Sequence, residues 1–353
     1  MTIINFIKSL FEKKAAAENV PGLHVDQKMI EDLEASSVKF GEIVSKANPV
    51  DWKPLDLSKL PDWPVLNQDR TSACVAFSFA MMCTIMYFIR QGVMVIFSPK
   101  WIYNWRKNKN VGDGQGMSGY DVFDIGADQG LIPEDMMPSQ MLSEEEINKF
   151  SAQPWEKEVG KAFRTSDQRV TIPKGDIEAA ASVMQTTGKP IMVWFNFGTG
   201  EWTTNPTISA LSAPYNHSVL FVPPKKKGDM VFGIYAGKKA VVIQDSWGLI
   251  RTTLAGKRVI DEVFYKARNL FACYFMRFRF DEGQGAKPVY DGSIISLQKC
   301  LQFEGCFPLN VAFAEAFGPV TSKSIAQFQL KHGLEQTGSM GPKTTALVKS
   351  LYS

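Results

Sequence analysis

The sequence predicts an α+β protein in which a helical lobe and an antiparallel β lobe flank a cleft, followed by a small three-helix domain. Three observations support this prediction. The apolar segment 75–89 has polar flanks and favours a long buried helix. Short apolar runs, joined by turns rich in Gly, Pro and Lys, begin near residue 191 and indicate strands. Residues 283–290 resemble a linker, and helical periodicity returns after them.

The composition excludes several functional classes. With 45% hydrophobic and 21% charged residues, the chain of 353 residues is typical of a folded protein with two domains. A net charge of +3 is too small to indicate nucleic acid or an anionic membrane as a partner. Segment 75–89 is shorter than the about 20 apolar residues of a membrane span. Lys8 interrupts the apolar N-terminus and no cleavage site follows, so no secretion signal is predicted.

The first 48 residues are predicted to form two helices that lack a core of their own. The first helix covers about residues 2–18, and the second begins near Asp26 and ends before Asn48. The apolar face of the second helix comprises Ile30, Leu33, Phe40 and Val44. Residues 1–48 are therefore either a helical arm, packed on the main domain or used in assembly, or a pro-segment that lies over a cleft.

Residues 49–282 form the predicted main domain, with helices in its first half and strands in its second. The predicted helices follow Ser72 and cover 119–128, 143–150 and 177–185, where Ser143 and Glu146 have the spacing of a capping box. The predicted strands cover 191–197, 218–222, 230–235, 240–244 and 271–280. Between the helices, residues 112–119 contain four glycines, so backbone can approach a ligand closely there.

The five cysteines are few and odd in number, which argues against a disulfide framework. Cys300 and Cys306 lie close enough in sequence to pair around a turn, and this possibility stays open. Histidines and cysteines do not cluster with the spacing of a zinc site, so neither a metal nor another cofactor is predicted.

Cys74 is the first candidate for catalysis because it stands where a polar loop meets the long apolar segment. A helix N-terminus carries partial positive charge, which favours thiolate over thiol. A buried structural thiol is an equally good interpretation of this position alone. Only three histidines are present, and His217 is the single one within 49–282, at the start of an apolar strand.

Hydrolysis by a cysteine requires a base that also delivers a proton, an acceptor that orients this base, and donors for the oxyanion. Asp245 ends the strand 240–244 and can reach His217 from a neighbouring strand. Trp247 can shield that hydrogen bond from water. Gln68 precedes Cys74 in the same loop and can supply a side-chain amide to the oxyanion.

Three motifs in order resemble those of the papain-like cysteine peptidases, over about residues 49–280. The nucleophile loop of that family matches Gln68, Cys74 and Ala76-Phe77-Ser78. Its histidine motif matches Asn216-His217-Ser218-Val219, and its Asn-Ser-Trp-Gly motif matches Asp245-Ser246-Trp247-Gly248.

This resemblance implies a two-lobed papain-like fold and a set of residue roles. Cys74 is expected to be the nucleophile, His217 the base and acid, and Asp245 the residue that orients the imidazole. Gln68 and the Cys74 backbone N–H are expected to form the oxyanion hole. The expected substrate-binding residues are Gly116, Met117 and Trp247.

The sequence departs from the family pattern near each of these motifs. Asp245 replaces the usual Asn; a carboxylate still accepts a hydrogen bond and favours the imidazolium more strongly. Thr71 replaces a cysteine that forms a disulfide in the family, and Ser72 and Val75 replace a glycine and an aromatic residue. The glycine pair that binds substrate backbone in the family is not evident, and Gly116 is its nearest equivalent.

Residues 291–353 resemble the peptidoglycan-binding-like three-helix domain. The matching motifs are Phe317-Gly318-Pro319-Val320-Thr321, Gln327-Phe328-Gln329, His332-Gly333-Leu334 and Gly341-Pro342-Lys343-Thr344. Helices are predicted from Ile294 to Leu301, from Thr321 to Leu330 and from Pro342 to Leu351. The resemblance implies a wall glycan as ligand, although a domain that keeps the fold and binds protein or nothing stays open. His332 is interpreted as a capping or surface residue.

These features predict a cysteine peptidase that acts on protein or peptide substrates and is tethered to a cell wall by residues 291–353. One alternative is a phage-type enzyme that cuts peptidoglycan peptides, and another is a non-catalytic virion or surface protein on a peptidase fold. The pairing of the two domains suggests a bacterial or bacteriophage origin. Without a secretion signal, the expected location is the cytoplasm, or a phage virion with release at lysis.

Overall fold

The computed structural model describes a mixed helix and sheet protein, which confirms the predicted α+β class. The described residues are 22–39, 49–110, 115–165, 169–198, 202, 215–248, 254–275, 288–304, 306–308, 311 and 313–352. The predicted helix at 2–18 lies outside these residues.

Helices are numbered here in chain order over the described residues. They are α1 (Gln27–Ala35), α2 (Cys74–Gln91), α3 (Pro99–Asn104), α4 (Asp121–Asp128), α5 (Glu144–Asn148), α6 (Pro154–Ala162), α7 (Ile177–Thr187), α8 (Glu262–Arg268), α9 (Ile294–Phe303), α10 (Pro319–Lys331) and α11 (Pro342–Tyr352). Helices α2 to α6 come before most of the strands in sequence, as predicted.

Strands are numbered in the same way. They are β1 (Leu23–His24), β2 (Val38–Lys39), β3 (Met117–Ser118), β4 (Arg169–Thr171), β5 (Ile191–Phe197), β6 (Tyr215–Phe221), β7 (Phe232–Tyr235), β8 (Lys238–Gln244), β9 (Lys257–Asp261) and β10 (Asn269–Phe275). The main sheet has the order β2-β4-β10-β5-β6-β8-β7, and β9 pairs with β8. All of its pairings are antiparallel except β2 with β4, while β1 and β3 form a separate parallel pair.

Helix α2 is the core of the main domain. It is apolar on all sides, and it packs against β5 and β6 on one side and against α3 and α4 on the other. By length and composition α2 could cross a membrane, but 72% of its 18-residue apolar window is buried inside the protein. The helix ends at Gly92, whose φ of 69° gives the left-handed conformation that glycine adopts without strain.

Helix α1 is shorter than predicted. Asp26 caps its N-terminus, and the helix ends at Ala35 instead of continuing to Asn48. The Ser36 and Ser37 hydroxyl groups donate back to the carbonyl groups of the last turn and close it. The backbone of β2 then joins the main sheet, and the predicted apolar positions Phe40 and Val44 lie outside the described residues.

Residues 22–39, here called the strap, pack on the main domain. Leu23, Ile30 and Leu33 are buried in the same apolar core as α2. The strap therefore has no core of its own, as the sequence predicted for this segment.

Several short elements have no clear signal in the sequence. They are α3, α6, α8, β4 and β9, each too short for a resolvable apolar period. Of the predicted strands, 191–197 has the bounds of β5, whereas residues 276–280 of the last one lie outside the described range.

The three C-terminal helices form a second apolar core, which includes Leu301, Ile325, Phe328 and Val348. Helices α9, α10 and α11 lie where the sequence predicted them. Cys300 and Cys306 are free buried thiols, so the disulfide left open by the sequence is absent.

Candidate active site

Cys74 is the first residue of α2 and has no exposed surface. The N-cap residue Ala73 has no side chain that accepts from the first turn, so the helix terminus keeps its partial positive charge at the thiol. The backbone of Gly22 lies directly over this position. A Cβ atom on Gly22 would be 2.2 Å from the Ser72 carbonyl oxygen and 3.0 Å from the Cys74 Sγ.

His217 reaches Cys74 because β6 packs against α2. A hydrogen bond of 2.5 Å between the Ser78 and Ser218 hydroxyl groups joins the two elements beside the site. The imidazole has a partner on each side: the Cys74 thiol is near enough to shift its protonation, and its Nε2 lies 2.9 Å from the Asp245 Oδ1. A carboxylate can only accept, so Nε2–H donates to Asp245 and Nδ1 is left for the thiol.

Asp245 follows β8, which pairs with β6 and thereby brings the carboxylate to the imidazole. The Asp245 N–H donates to the Gly256 carbonyl oxygen over 2.9 Å and fixes the loop. The other carboxylate oxygen, Oδ2, accepts from Trp202 Nε1 and from Arg258 Nε, each at 2.8 Å. This buried carboxylate therefore has donors on both oxygens, as burial of a charge requires.

Aromatic rings enclose the imidazole of His217. The ring centroid of Trp247 lies 5.2 Å from that of His217, and the centroids of Trp202 and Phe197 lie 5.6 Å and 5.9 Å away. Such rings keep water from the His217–Asp245 hydrogen bond and strengthen its electrostatics. The structure places Trp247 against the imidazole, which is the shielding position considered from the sequence.

The charges in this cluster shift each other's protonation. Burial alone would lower the pKa of His217, but the charge and hydrogen bond of Asp245, together with those of Cys74, raise it to about 9. Burial would raise the pKa of Asp245, but His217 and Arg258 hold it well below its usual range. The arrangement favours an imidazolium beside an ionised carboxylate at neutral pH, and these groups titrate as a coupled set.

Gln68 connects the loops on either side of the site. Its Oε1 accepts from the Ser246 hydroxyl, and its Nε2 donates to the Thr71 carbonyl oxygen over 2.9 Å. Its backbone N–H also donates to the Ser246 carbonyl oxygen over 2.8 Å. The amide orientation is thus fixed between the loop before Cys74 and the loop after Asp245.

Gly116 and Met117 lie at the strap and not at an open surface. Met117 is fully buried, and its backbone N–H donates to the Gly22 carbonyl oxygen over 2.7 Å. Gly116 has a φ of +73°, and a Cβ there would strike the His24 ring. The backbone predicted to bind substrate is therefore paired with the strap.

A polar network that sequence reasoning missed joins Gly116 to the nucleophile loop. Glu144 accepts from the Ser72 N–H over 2.8 Å and from the Tyr103 hydroxyl over 2.5 Å. The Tyr103 oxygen in turn accepts from the Gly116 N–H over 2.8 Å. The network bridges the region where Thr71 replaces the expected cysteine, and no local motif in the sequence reveals it.

The remaining histidines have structural contacts. His24 Nε2 lies 2.8 Å from the Gln115 carbonyl oxygen, and His332 is the C-cap of α10, 3.3 Å from the Glu304 carboxylate. Over the described ranges, no group of three or more His, Cys, Asp or Glu residues is placed to hold a metal ion.

The helical lobe and the antiparallel sheet have the fold of the papain-like cysteine proteases. Xylellain, a cysteine protease from Xylella fastidiosa, matches with a TM-score of 0.50 and 16% identity, over 67% of this chain and 88% of its own. ProCathepsin B S9 from Trypanosoma congolense matches with a TM-score of 0.54 and 13% identity, over 78% of this chain and 98% of its own.

A structure from work on the mite allergens Blo t 1 and Der p 1 matches with a TM-score of 0.51 and 13% identity, covering 74% of this chain and 81% of that one. At such identities the likeness establishes the fold. No curated protein matches the chain. Residues 291–348 match a family model described as "Putative peptidoglycan binding domain". The chain thus combines a papain-like fold with a C-terminal domain of the peptidoglycan-binding type.

Proposed function

We propose that this protein is a cysteine peptidase that hydrolyses peptide bonds, with Cys74, His217 and Asp245 as its catalytic triad. One observation carries the proposal: a single buried imidazole is hydrogen-bonded to a buried carboxylate and interacts electrostatically with the thiol at a helix N-terminus. A structural thiol needs neither partner. The papain-like fold supports the same assignment.

In the proposed reaction, the Cys74 thiolate attacks the peptide carbonyl carbon, and a C–S bond forms. His217 then gives its Nδ1 proton to the leaving amine as the C–N bond breaks. A water molecule next attacks the thioester and gives a proton to His217, and as the C–S bond breaks the carboxylic acid leaves and Cys74 returns to the thiolate beside the imidazolium. Asp245 holds the ring through Nε2, so Nδ1 faces the reacting atoms throughout.

The oxyanion of each tetrahedral intermediate requires donors that are already in position. We assign this role to the Gln68 side-chain amide and the Cys74 backbone N–H. The two hydrogen bonds that fix the Gln68 amide, to Thr71 and Ser246, support this assignment because they orient the amide before substrate arrives. The Thr71 carbonyl takes one of its two N–H hydrogens, and the other is assigned to the oxyanion.

The strap is proposed to act as an inhibitory pro-segment. Its Gly22 covers the Cys74 thiol, and its β1 takes the backbone hydrogen bonds of β3. A peptide substrate would need this same space and the same N–H of Met117. Cleavage of the chain near Pro49, where the main domain begins, would release the strap and open the cleft.

The C-terminal domain is proposed to bind peptidoglycan and tether the peptidase to a cell wall. Its match to the family model over residues 291–348 supports this role. The same match favours a second candidate function, in which the peptidase cuts the peptides of peptidoglycan itself. Clearing of a suspension of purified cell walls, set against cleavage of a soluble protein, separates the two candidates.

The proposal is tested by labelling with an epoxide inhibitor directed at thiols. The full chain and a chain without residues 1–48 are compared, each with Cys74→Ala and with Cys83→Ala as the matched control. Cys83 lies on the same helix, and burial raises its pKa well above that of a free thiol. In the shortened chain we expect one label, lost only with Cys74→Ala, and loss of peptide cleavage in parallel; in the full chain, where Gly22 covers the thiol, labelling should be slower. If the chain without residues 1–48 is neither labelled nor able to cleave peptide, the proposal that this protein is a cysteine peptidase is refuted.

A further inference from the structure

Arg258 is a buried cation directly behind the proposed triad. It lies on β9, its side chain is only 1% exposed, and its Nε donates to the Asp245 Oδ2 over 2.8 Å. Its guanidinium carbon lies 5.4 Å from the ring centroid of Trp202 and 5.5 Å from that of Trp247. Two rings of the site thus hold this cation in place by cation–π contact.

The donors around Oδ2 explain why residue 245 is an aspartate. Both Trp202 Nε1 and Arg258 Nε donate to this oxygen. An asparagine that accepts from His217 through its oxygen would turn its NH₂ group toward these two donors, neither of which can accept from it. Asp245 and Arg258 therefore form a matched pair, and the departure of Asp245 from the family motif has a partner elsewhere in the chain.

The Asp245–Arg258 pair also determines the electrostatic environment of the His217 imidazole. Among the residues that the structure describes, the charged or titratable groups that face the imidazole are Cys74 from α2 and Asp245 from the end of β8, with Arg258 of β9 behind Asp245. The other ring neighbours, Trp202, Trp247 and Phe197, carry no charge. An unpaired carboxylate buried beside the imidazole would hold the imidazolium proton more tightly and slow its transfer to a leaving amine.

We propose that Arg258 is a positioning residue that partly offsets the charge of Asp245, so that the buried pair orients His217 and holds the imidazolium proton less tightly than an unpaired carboxylate would. This inference rests on the proposed function, since it concerns the same site. It assigns a role in proton transfer to a residue outside all three sequence motifs.

The test measures the pKa of His217 by NMR in the full chain carrying Cys74→Ala, which removes the thiol but keeps the carboxylate pair. Arg258→Gln is expected to raise this pKa by at least about half a unit, because the carboxylate is then unopposed. Asp245→Asn is expected to lower it, and the double change is expected to give an intermediate value. Arg258→Lys keeps the charge and is expected to keep the pKa.

Kinetics on the full chain with Cys74 intact provide the second readout. The alkaline midpoint of kcat/KM, expected near the His217 pKa of about 9, should move upward with Arg258→Gln and stay with Arg258→Lys. At neutral pH, Arg258→Gln should lower kcat about 10- to 100-fold while KM changes little, a part of the contribution of acid–base catalysis.

Equal His217 pKa values in Arg258→Gln and Arg258→Lys would overturn the inference, even if both variants lose activity through packing. If Arg258→Gln fails to fold, the double variant and Arg258→Lys still decide the matter, because the double variant has no unpaired buried charge. A chain that shows the expected NMR shifts but neither cleaves peptide nor reacts at Cys74 would refute the proposed function and retain the charge pair.

Discussion

The two regions that flank the peptidase fold differ in how they are held. The strap contributes Leu23, Ile30 and Leu33 to the core around α2. The C-terminal domain has a core of its own, formed by three helices. A segment whose apolar residues pack in the core of the main domain depends on that domain for its structure and can influence it. A domain with a separate core can keep its fold while it performs a separate task.

The hydrogen bonds of the strap and of the C-terminal domain differ in the same way. The two residues of β1 pair with β3 of the main domain, next to the proposed nucleophile. In the C-terminal domain, the buried amide of Gln329 is satisfied by Thr337, Ser339 and Thr344 of the same domain. The comparison therefore predicts that changes in the strap alter catalysis and that changes in the C-terminal domain do not.

Removal of residues 1–48 tests the first half of this comparison and has the largest expected effect. If the strap blocks the cleft, the shortened chain should cleave a soluble peptide at least about 10-fold faster, because a few kcal/mol of strap binding no longer opposes substrate. The initial rate on a fluorogenic peptide measures this. Loss of the three buried strap residues will also lower stability, so rates are taken well below the unfolding temperature.

An unchanged or lower rate in a folded shortened chain would contradict the pro-segment. Persistence of the full-length chain during active turnover would contradict it as well. The alternative from the sequence, an arm used in assembly, would then be favoured, and it predicts a change of oligomeric state on removal of residues 1–48.

Removal of residues 288–353 tests the second half. We expect wall binding to fall by at least about 10-fold, because the domain matched to the peptidoglycan binding family is gone. Cleavage of a soluble peptide should change less than about twofold, since the C-terminal core contributes no residue to the described site. Co-sedimentation with purified walls and the peptide assay measure the two outcomes. A loss of peptide cleavage would show that the domain supports the active site.

Gly22→Ala tests the docking of the strap at a single atom. The new Cβ would lie 2.2 Å from the Ser72 carbonyl oxygen, and this overlap should weaken strap docking by about 1–3 kcal/mol. The peptide cleavage rate of the full chain should rise roughly fivefold or more. Gly318→Ala is the matched control, because nothing lies within 4 Å of its Cβ position. Equal rates for the two variants would contradict strap inhibition.

The sequence predicted the elements whose signal is local. Apolar period and length identify α2 and β5, and the spacing of Cys74, His217 and Asp245 within motifs indicates the candidate triad. Each of these predictions depends on a few consecutive residues.

The remaining features depend on contacts between distant segments. Arg258 lies in a five-residue strand, whereas the carboxylate that it contacts belongs to the motif that begins at Asp245. Glu144 reaches Ser72 from a different helix. No local sequence pattern indicates that Gly22 lies over Cys74, because the position of Gly22 follows from the parallel pairing of β1 with β3. Propensity and period describe neighbours along the chain, so these couplings appear only once the chain is folded.

The smallest expected effect concerns Glu304, whose carboxylate accepts from Lys331 Nζ over 2.7 Å and from the Tyr352 hydroxyl over 2.5 Å. It joins α9 to α10 and α11. Glu304→Gln removes the charge but keeps an acceptor, and Lys331 is partly exposed, so the cost should be about 0.5–1 kcal/mol. Hydrogen exchange of α10 and α11 amides should therefore quicken by about two- to fivefold.

Glu335→Gln, the same charge change at an exposed position of this domain, is the control and should leave exchange unchanged. All eight tryptophans lie between residues 52 and 247, so their fluorescence reports urea unfolding of the main domain alone. Its midpoint should be the same in Glu304→Gln and in the unmodified chain, because the two cores share no residue. A shifted midpoint would mean that the C-terminal domain stabilises the peptidase core, and the contrast between the two flanking regions would be wrong.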